Sequence, residues 1–444
     1  MPESRTIQCD IKRFMSHFTD VSQIGSTADG GVNRPFGSEA DLQLRAWLIQ
    51  RIGDAGLQVK VDAIGNIWGV MAGSDPLPAI ILGSHHDSVP FGGRFDGPVG
   101  VLAALEVVQT LQEAGYRNRR PLGIVSFTAE EPNPFDISTM GSRTVAGRLT
   151  AQQLLAARDG NDRSLELAIA QAGGDLRKLS GIRKTDQDLF AFLELHIEQG
   201  RRLESAGVAV GVVTGICGIY RELVSVTGEA NHAGTTRLTD RRDALLAGSE
   251  LTLGVERLLL DRLSWRSRAA NNREENAPAA ISRDSPEEEL IATVGRFTIA
   301  PNAPNIIPGQ CDFTVEIRGA SSSAIHSFAA EFGTLAKRIG AARGVQISRR
   351  VILDQAPEAM DGTVTDTLRA AAAAMHIPCC DLFSMAGHDA THIASFTKAG
   401  MLFVPSIGGK SHCKEEETRM DDIASALAIL LETTLRLDGL DIDA

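Results

Sequence analysis

Residues 83–97, GSHHDSVPFGGRFDG, place four side chains that can bind a metal ion within one short segment: His85, His86, Asp87 and Asp96. The apolar run before it, PAIILG (78–83), is typical of a buried strand bounded by proline and glycine. The glycines and prolines of the segment itself leave little room for a regular helix or strand. Because α/β proteins place their sites in loops that follow parallel strands, we predict a metal site here, with further ligands supplied from elsewhere.

Other acids and histidines also follow apolar strands. Glu130 and Glu131 end the run PLGIVSFTAEE, His196 lies near the end of LFAFLELHIEQG, and His412 follows MLFVPSIGG. Each residue alone is more often solvated or hydrogen-bonded than a ligand, but their recurrence at strand ends favours a shared site. Histidines with carboxylates suit Zn²⁺, Co²⁺, Mn²⁺ or Ni²⁺, and the lack of cysteine in the set argues against a structural zinc cluster.

Composition limits the class of partner and the compartment. A net charge of −12 over 444 residues argues against a general nucleic-acid or anionic-membrane surface, so a small molecule is the expected partner. The six cysteines show no CxxC spacing, which fits a reducing cytoplasm. No apolar run approaches the roughly 20 residues of a membrane span, and the N-terminal residues show no apolar signal segment.

The order of predicted elements indicates two domains. A strand (78–83), a helix (100–116) and a strand (121–131) form a βαβ unit, which predicts an α/β domain with a mostly parallel sheet and helices on both faces. A helix over 39–56 and a hairpin over 57–73 precede this unit. From residue 213 the order becomes β, α, β, β, α, β, as in a four-stranded α+β domain with two helices on one face. We predict a catalytic domain over 1–212 and 356–444 and an inserted domain over 213–355, with a polar connection over 267–290.

Nine motifs, in this order along most of the chain, carry a specific resemblance: GSHHDSVPFGGRFDG (83–97), FTAEE (127–131), GSRTVAG (141–147), ELHIEQG (194–200), GEANHAGTT (228–236), PNAPNIIPG (301–309), FTVEIR (313–318), AGHDA (386–390) and FVPSIGGKSH (403–412). The sequence resembles the metal-dependent amidohydrolase branch of the M20 metallopeptidases. That branch includes N-carbamoyl-L-amino acid hydrolases, β-ureidopropionases of the bacterial and yeast type, and allantoate amidohydrolases.

The resemblance implies two divalent metal ions per subunit, Zn²⁺, Mn²⁺, Co²⁺ or Ni²⁺. His85 and His196 would bind one ion, Glu131 and His412 the other, and Asp96 would bridge both. Two further carboxylates would assist: Asp87 would accept the imidazole N–H of His85, and Glu130 would be the general base.

The inserted domain would then be a lid that also carries dimer contacts. His232 would donate to the developing oxyanion, and Asn305 and Arg318 would hold a substrate carboxylate. Gln199 and His388 would be further substrate contacts. Part of this set would reach the site across a homodimer interface. Three of these roles compete with simpler ones, since Arg318 could pair only with Glu316, His232 could be a turn residue, and His388 could only stabilise a loop.

Some positions depart from the family pattern or lack a role. His86 stands where an aliphatic residue is usual, and Pro134 replaces an arginine in the loop after Glu131. That loop, residues 132–138, flanks a predicted ligand and could alter which substrate fits. His86, His326, His376 and His392 are interpreted as structural or surface residues, and Glu415–Glu417 as a solvated run.

The predicted function is hydrolysis of a linear non-peptide C–N bond, namely the ureido group of an N-carbamoyl-L-amino acid, giving amino acid, CO₂ and ammonia. The alternatives are allantoate or another ureido acid, an unusual amide, and the dipeptidase or deacylase chemistry of the wider family. A non-catalytic binding protein on the same scaffold would be expected to have damaged ligands or no base. The sequence shows neither. The substrate, the metal, the state of the lid and a role for His86 are left open by the sequence.

Overall fold

The computed structural model describes residues 7–271 and 290–441, with the side chains of 264–271 outside that description. Most of the predicted polar connection over 267–290 therefore lies outside the described residues. The helices are α1 Ile11–Gln23, α2 Glu39–Asp54, α3 Pro98–Glu113, α4 Met140–Val145, α5 Ala151–Ala156, α6 Leu165–Gln171, α7 Arg202–Ala206, α8 Ala244–Asn271, α9 Ser322–Arg343, α10 Gly362–Ala374, α11 Ala390–Ile393 and α12 Met420–Asp438. The strands are β1 Gln58–Val61, β2 Ile67–Met71, β3 Ala79–His85, β4 Leu122–Phe127, β5 Leu189–Ile197, β6 Val210–Ile216, β7 Gly218–Thr227, β8 Asn231–His232, β9 Leu290–Ala300, β10 Ile306–Ile307, β11 Gln310–Gly319, β12 Gln346–Gln355, β13 Glu358–Ala359, β14 Cys379–Ser384 and β15 Lys398–Val404.

The chain separates into two compact units. The first unit contains the described residues up to Thr214 and from Ala359 onward, and the second contains those of Gly215–Glu358. Among the described helices, none is long and apolar enough to cross a membrane.

A mixed sheet forms the first unit. Its strand order is β1-β2-β4-β3-β5-β15-β6-β13, with β14 also paired to β6. The central strands β4, β3, β5 and β15 are parallel, whereas β1–β2, β2–β4 and β15–β6 pair antiparallel. The expected α/β fold is confirmed, and its parallel part is the centre of the sheet. The strands β6 and β14 were not predicted.

Apolar side chains cover both faces of this sheet. All nine residues of β5 are buried, as expected for a central strand with helices on each side. The apolar cluster of the strands also contains residues of α2, α3, α10 and α12, which contact the sheet directly, and of α1, which packs on α3. A second apolar cluster contains residues of α4, α5 and α6. The predicted arrangement of helices on both faces therefore follows from where the strands are apolar.

The second unit is a four-stranded antiparallel sheet, within the described residues, in the order β12-β7-β11-β9. Inward-facing residues of β7 and β11, among them Val224, Phe313 and Val315, pack with Leu251 of α8 and Phe332 of α9. The side chains of β11 alternate between buried and partly buried, which is the period-two pattern of a sheet with one covered face. The predicted split βαβ arrangement is confirmed.

Gly100 lets α3 approach the sheet closely. A Cβ atom at this position would lie 2.3 Å from the carbonyl oxygen of Leu195 and 2.6 Å from Cβ of Ser84. Alanine normally stabilises a helix interior relative to glycine, but here the added methyl would push α3 away from β3 and β5.

We predict that Gly100→Ala lowers the free energy of unfolding by about 1–3 kcal/mol, because overpacking outweighs helix propensity. Chemical denaturation followed by near-UV circular dichroism measures the change. Gly160→Ala is the matched control, since a Cβ atom there meets nothing within 4 Å. Equal stability of Gly100→Ala and the unmodified protein would show that the predicted close approach is wrong.

His392 joins α11 to the segment around α4 while remaining uncharged. It is buried, its Nε2 lies 2.9 Å from Oγ1 of Thr139, and its Nδ1 lies 3.2 Å from Nη1 of Arg148. Since arginine only donates, Nδ1 must accept, and the Nε2–H donates to Thr139. Burial, followed by the positive charges of Arg148 and Arg143, lowers the pKa of His392 to about 3.

This contact predicts a loss of stability in acid. Below its ordinary pKa of 6.5 the imidazole gains a proton in the unfolded chain, whereas the folded chain resists protonation until pH about 3. Stability should therefore fall as pH decreases through this interval, by up to about 1.4 kcal/mol per pH unit from this group. His392→Gln should make the dependence of unfolding free energy on pH shallower between about pH 4 and pH 6. Parallel curves for the variant and the unmodified protein would contradict this assignment.

Candidate metal centre and active site

The predicted ligands lie at one edge of the parallel strands. His85 is the last residue of β3, and His196 is the penultimate residue of β5. Asp96 precedes Gly97, the residue immediately before the first residue of α3, and Gly97 has φ of +83° with the imidazole of His85 packed against its Cα. A Cβ atom at Gly97 would lie 2.4 Å from that ring, so a side chain is excluded on two grounds. Parallel strands thus bring residues that are distant in sequence to one place.

Asp96 is the centre of the cluster. Its Oδ1 lies 3.3 Å from Nε2 of His85 and 3.2 Å from Nε2 of His196. Its Oδ2 lies 3.3 Å from Nε2 of His412, and the same nitrogen lies 3.3 Å from Oε1 of Glu131. One carboxylate oxygen therefore faces the first predicted pair of ligands, and the other faces the second pair.

The donor set fits divalent metal ions. In each of the two trios, His85–Asp96–His196 and Asp96–Glu131–His412, one ligand atom per residue lies within 4.8 Å of the others. Glu131 Oε1 is buried and has no hydrogen-bond partner in the described part of the chain, although the His412 imidazole is near. Such an atom fits the role of a metal ligand, since a buried carboxylate oxygen without a partner is costly.

The imidazoles are oriented from behind by backbone carbonyl groups. Nδ1 of His85 lies 3.1 Å from the carbonyl oxygen of Asp87, and Nδ1 of His196 lies 3.0 Å from that of Ile197. These contacts hold a proton on Nδ1 and turn Nε2 toward Asp96, as a metal ligand requires.

The Asp87 carboxylate contacts mainly backbone N–H groups and not the His85 imidazole that was predicted as its partner. Its Oδ1 lies 3.7 Å from Nδ1 of His85, longer than the contact made by its own carbonyl oxygen. Its two oxygens accept the backbone N–H groups of Glu130 and Glu131, each at 3.2 Å. Asp87 therefore orients the backbone of the two adjacent glutamates as well as lying beside His85.

The ionisable groups of the cluster strongly perturb one another. Burial opposes ionisation of Asp96, but the surrounding imidazoles hold its pKa well below the usual range. Burial and then Asp96 raise the pKa of Glu131 to about 7, while the bond to Asp96 raises that of His412 to about 9. Perturbations of this kind are typical of functional sites.

Glu130 lies beside the ligand cluster and belongs to neither trio. Its Oε2 is 3.9 Å from Nε2 of His85, and the side chain is largely buried. Burial and the nearby carboxylates of Glu131 and Asp389 raise the pKa of Glu130 well above the ordinary glutamate value. A carboxyl group with a raised pKa next to a ligand cluster suits the exchange of protons with a substrate.

Gln199 and His388 lie next to the ligands. Nε2 of Gln199 donates to Oδ2 of Asp96 at 2.6 Å, from a residue with φ of +59°. The His388 ring packs edge-on against His196 with centroids 4.5 Å apart, and its Nε2 lies 2.9 Å from Oγ of Ser384. Both residues therefore lie beside the predicted ligands, and their contact with a substrate stays a prediction.

The loop after Glu131 is closed by Asn133. Nδ2 of Asn133 donates to the carbonyl oxygens of Glu131 and Ile137, and its Oδ1 accepts the N–H of Phe135. Phe135 is buried against Phe36. Asn133 and Phe135 therefore give this loop an ordered conformation beside a predicted ligand.

His86 is not part of the ligand cluster. Its Nε2 lies 3.0 Å from Oδ1 of Asp41, its Nδ1 lies 2.6 Å from Oγ of Ser126, and Arg45 pairs with Asp41. All four side chains are buried. The departure from the usual aliphatic residue is thus compensated by a buried polar network behind the metal-binding loop.

Two glutamates are buried although the sequence did not indicate it: Glu194 was given no role, and Glu416 was predicted to be solvated. Glu194 accepts Oγ of Ser84 at 2.8 Å and the N–H of Ala390 at 3.0 Å, so its oxygens hold the strand to the loop of His388. The position two residues before His196 in a strand was the available signal, because such residues share a face.

The prediction of a solvated Glu415–Glu417 run is wrong for Glu416, which is 1% exposed. Tertiary contacts to the segment of Asp96 bury it.

In the second unit, a short strand pair brings His232 and Asn305 together. His232 pairs with Ile306 across β8 and β10, and the carbonyl oxygen of Asn305 accepts the N–H of Ala233. Nδ1 of His232 accepts the N–H groups of Gly234 and Thr235, so its Nε2 carries the proton and can donate.

Arg318 lies on β11 of the same unit. Its Nε donates to Oε1 of Glu316 at 2.7 Å, and Glu316 also accepts Nε of Arg221. The pairing considered as the simpler role of Arg318 is therefore present. Its predicted contact with a substrate stays a prediction.

Comparison with known proteins identifies the family. Residues 81–436 match the model of peptidase family M20/M25/M40. An N-carbamoyl-L-amino-acid amidohydrolase of Paenarthrobacter aurescens is 34% identical over 93% of this chain and 95% of its own length. An allantoate amidohydrolase of Bacillus subtilis is 32% identical over 94% of this chain and 95% of its own length.

A solved structure extends the similarity to the fold. The crystal structure of an amidase of the hydantoinase/carbamoylase family from Burkholderia vietnamiensis is 32% identical, with a TM-score of 0.84 over 98% of this chain and 99% of that one. The chain therefore belongs to peptidase family M20/M25/M40, in its branch of amidohydrolases that act on non-peptide C–N bonds.

Proposed function

We propose that this protein hydrolyses the ureido group of an N-carbamoyl-L-amino acid, giving the amino acid, CO₂ and ammonia. The observation that carries the proposal is the position of Asp96, whose two oxygens face two separate pairs of metal-binding side chains, with Glu130 beside them. The named relatives support the amidohydrolase class.

In this proposal His85 and His196 would hold one divalent ion, Glu131 and His412 would hold a second, and Asp96 would serve both. Zn²⁺, Mn²⁺, Co²⁺ and Ni²⁺ all accept such nitrogen and oxygen donors. Ions bound there would supply an acidified water and a Lewis acid for the ureido carbonyl group.

The protein's own groups move the protons. Glu130 accepts a proton from the attacking water and returns it to the leaving nitrogen of the amino acid, which its raised pKa favours. His232 donates its Nε2–H to the oxygen that gains charge. The carbamic acid that is released decomposes to CO₂ and ammonia, so the atoms of substrate and water are all accounted for.

Substrate selection is assigned to polar groups away from the reacting carbon. Arg318 and Asn305 are proposed to hold the substrate carboxylate, with Gln199 and His388 as further contacts. The second candidate function is hydrolysis of allantoate or another ureido acid, which the Bacillus subtilis relative favours. The ordered loop around Asn133 is the feature of this chain that could separate these substrates or admit an unusual amide.

A panel of substrates tests the proposal. Protein of known metal content, supplied in turn with Mn²⁺, Co²⁺, Ni²⁺ or Zn²⁺, should release ammonia from N-carbamoyl-L-amino acids faster than from allantoate. Glu130→Gln should lower kcat by about 10²- to 10⁴-fold at unchanged metal content, because the proton acceptor is lost. Glu131→Gln should lose bound metal, and exposed Glu166→Gln is the control.

Three results would count against the proposal. The absence of ammonia release from every ureido acid with every metal would reject the reaction. Cleavage of dipeptides or acyl amino acids alone would favour the wider family. Full activity of Glu130→Gln would show that another group is the base.

We further propose a homodimer formed through the second unit. On α8 three leucines, Leu246, Leu253 and Leu260, recur at intervals of seven residues and are 44–55% exposed. Beside them β9 pairs with β11 on one side only, among the strands that are described, and such an open edge can pair with a second copy. A row of apolar side chains next to an open strand edge is typical of an association surface.

We predict that Leu253→Lys shifts the protein from dimer to monomer, because the charge would be desolvated at the interface. Analytical ultracentrifugation measures the change. Leu167→Lys is the matched control, since Leu167 of the first unit is also 52% exposed. A dimer that persists in Leu253→Lys, or a monomeric unmodified protein, would contradict the proposed interface.

A further inference from the structure

Glu416 is a buried carboxylate within an otherwise polar surface segment. It is 1% exposed, while Glu415 is exposed and the side chain of Glu417 is 46% exposed and paired with Arg94. The run of residues 415–417 thus contains one buried glutamate between two glutamates that are accessible to solvent. Burial of a carboxylate is unfavourable unless hydrogen bonds compensate for lost hydration.

The hydrogen bonds of Glu416 join two segments that carry proposed ligands. Its Oε1 accepts the backbone N–H groups of Phe95 and Asp96, both at 3.0 Å. Its Oε2 accepts Oγ of Ser411 at 3.2 Å and the N–H of His412 at 3.3 Å. One side chain therefore contacts the backbone of both Asp96 and His412.

The proposed ligands differ in how firmly the surrounding structure holds them. His85 and His196 lie within strands of the central sheet and are buried. His412 lies in a loop, has φ of +56°, and its side chain is 47% exposed. Its position thus depends more on loop contacts, including the one from Glu416.

We propose that Glu416 is a positioning residue that sets the separation of Asp96 and His412 and so shapes the site formed by Asp96, Glu131 and His412. This inference rests on the metal centre of the proposed function. Glu416 acts through the backbone of the two ligands, because its oxygens are directed to N–H groups and to Ser411. Ser411 extends the same connection, since its Oγ also lies 3.1 Å from Oδ2 of Asp96.

Glu416→Gln tests the inference with little change of volume. The amide oxygen can still accept the N–H groups of Phe95 and Asp96. The amide NH₂ group, however, would face the N–H of His412, where two donors oppose each other. The segment of His412 should therefore shift while that of Asp96 stays in place.

The experiment is a Co²⁺ titration of the metal-free full-length protein, followed by calorimetry and by visible absorption. The unmodified protein should bind two Co²⁺ ions. Glu416→Gln should weaken one of the two sites by about 10- to 100-fold, the usual effect of removing a group that orients ligands. Binding at the other site should be unchanged. Glu417→Gln is the matched control and should bind Co²⁺ like the unmodified protein.

Ser411→Ala provides a second test that leaves the carboxylate intact, and it should weaken the same site to a smaller extent. If Glu416→Gln fails to fold, the Co²⁺ binding of Ser411→Ala tests the inference in its place. Unchanged Co²⁺ binding by Glu416→Gln, with or without a lower melting temperature, would overturn the inference and leave Glu416 a purely structural residue. Equal weakening of both sites would also overturn it. Failure of the unmodified protein to bind Co²⁺ would instead contradict the proposed metal centre.

Discussion

Negative charge gathered at one edge of the sheet is the constraint on which the rest of the site depends. Asp87, Asp96, Glu130, Glu131 and Glu194 are all buried there, and a buried carboxylate without a partner would be strongly unfavourable. Four of these groups, together with Glu416, fall into two classes. Asp87, Glu194 and Glu416 are directed to backbone N–H groups or hydroxyls, whereas Asp96 and Glu131 each have an imidazole nitrogen 3.3 Å away.

The partners of each carboxylate, rather than the number of acidic residues, indicate what that carboxylate does at the site. The carboxylates that bind backbone donors organise loops, and their charge is compensated without a ligand. Those directed toward imidazoles include Glu131, whose Oε1 has no hydrogen bond in the described part of the chain and therefore fits the proposed cation site. Glu130 belongs to neither class, since burial and neighbouring charges instead raise its pKa. The proposed cation site thus lies next to a carboxyl group that can exchange a proton.

The scaffold contributes closeness and rigidity. Residues 85, 96, 131, 196 and 412 come from five separate segments, and the parallel order β4-β3-β5-β15 brings most of these segments to one edge. Close contact of α3 with the sheet at Gly100 and of the His85 ring with Gly97 allows no intervening side chain. The second unit has its own core beneath α8 and α9 and presents His232 and Asn305 on a short strand pair. Contacts within the second unit are therefore sufficient to place these two residues side by side.

The sequence by itself determined most of the strands, the helices that cover them, and the types of the candidate ligands, because these depend on local periodicity and on residues that follow strand ends. His85, Asp96 and His196 could be recognised in that way. The tertiary structure alone decided the partners of His86, Glu194 and Glu416. Their contacts join residues 45, 110 and 320 positions apart, where no local pattern records which group will be near. The sequence of a run of charged residues is the same whether its middle residue is solvated or buried. Only packing against the Asp96 segment decides that the Glu416 side chain is buried.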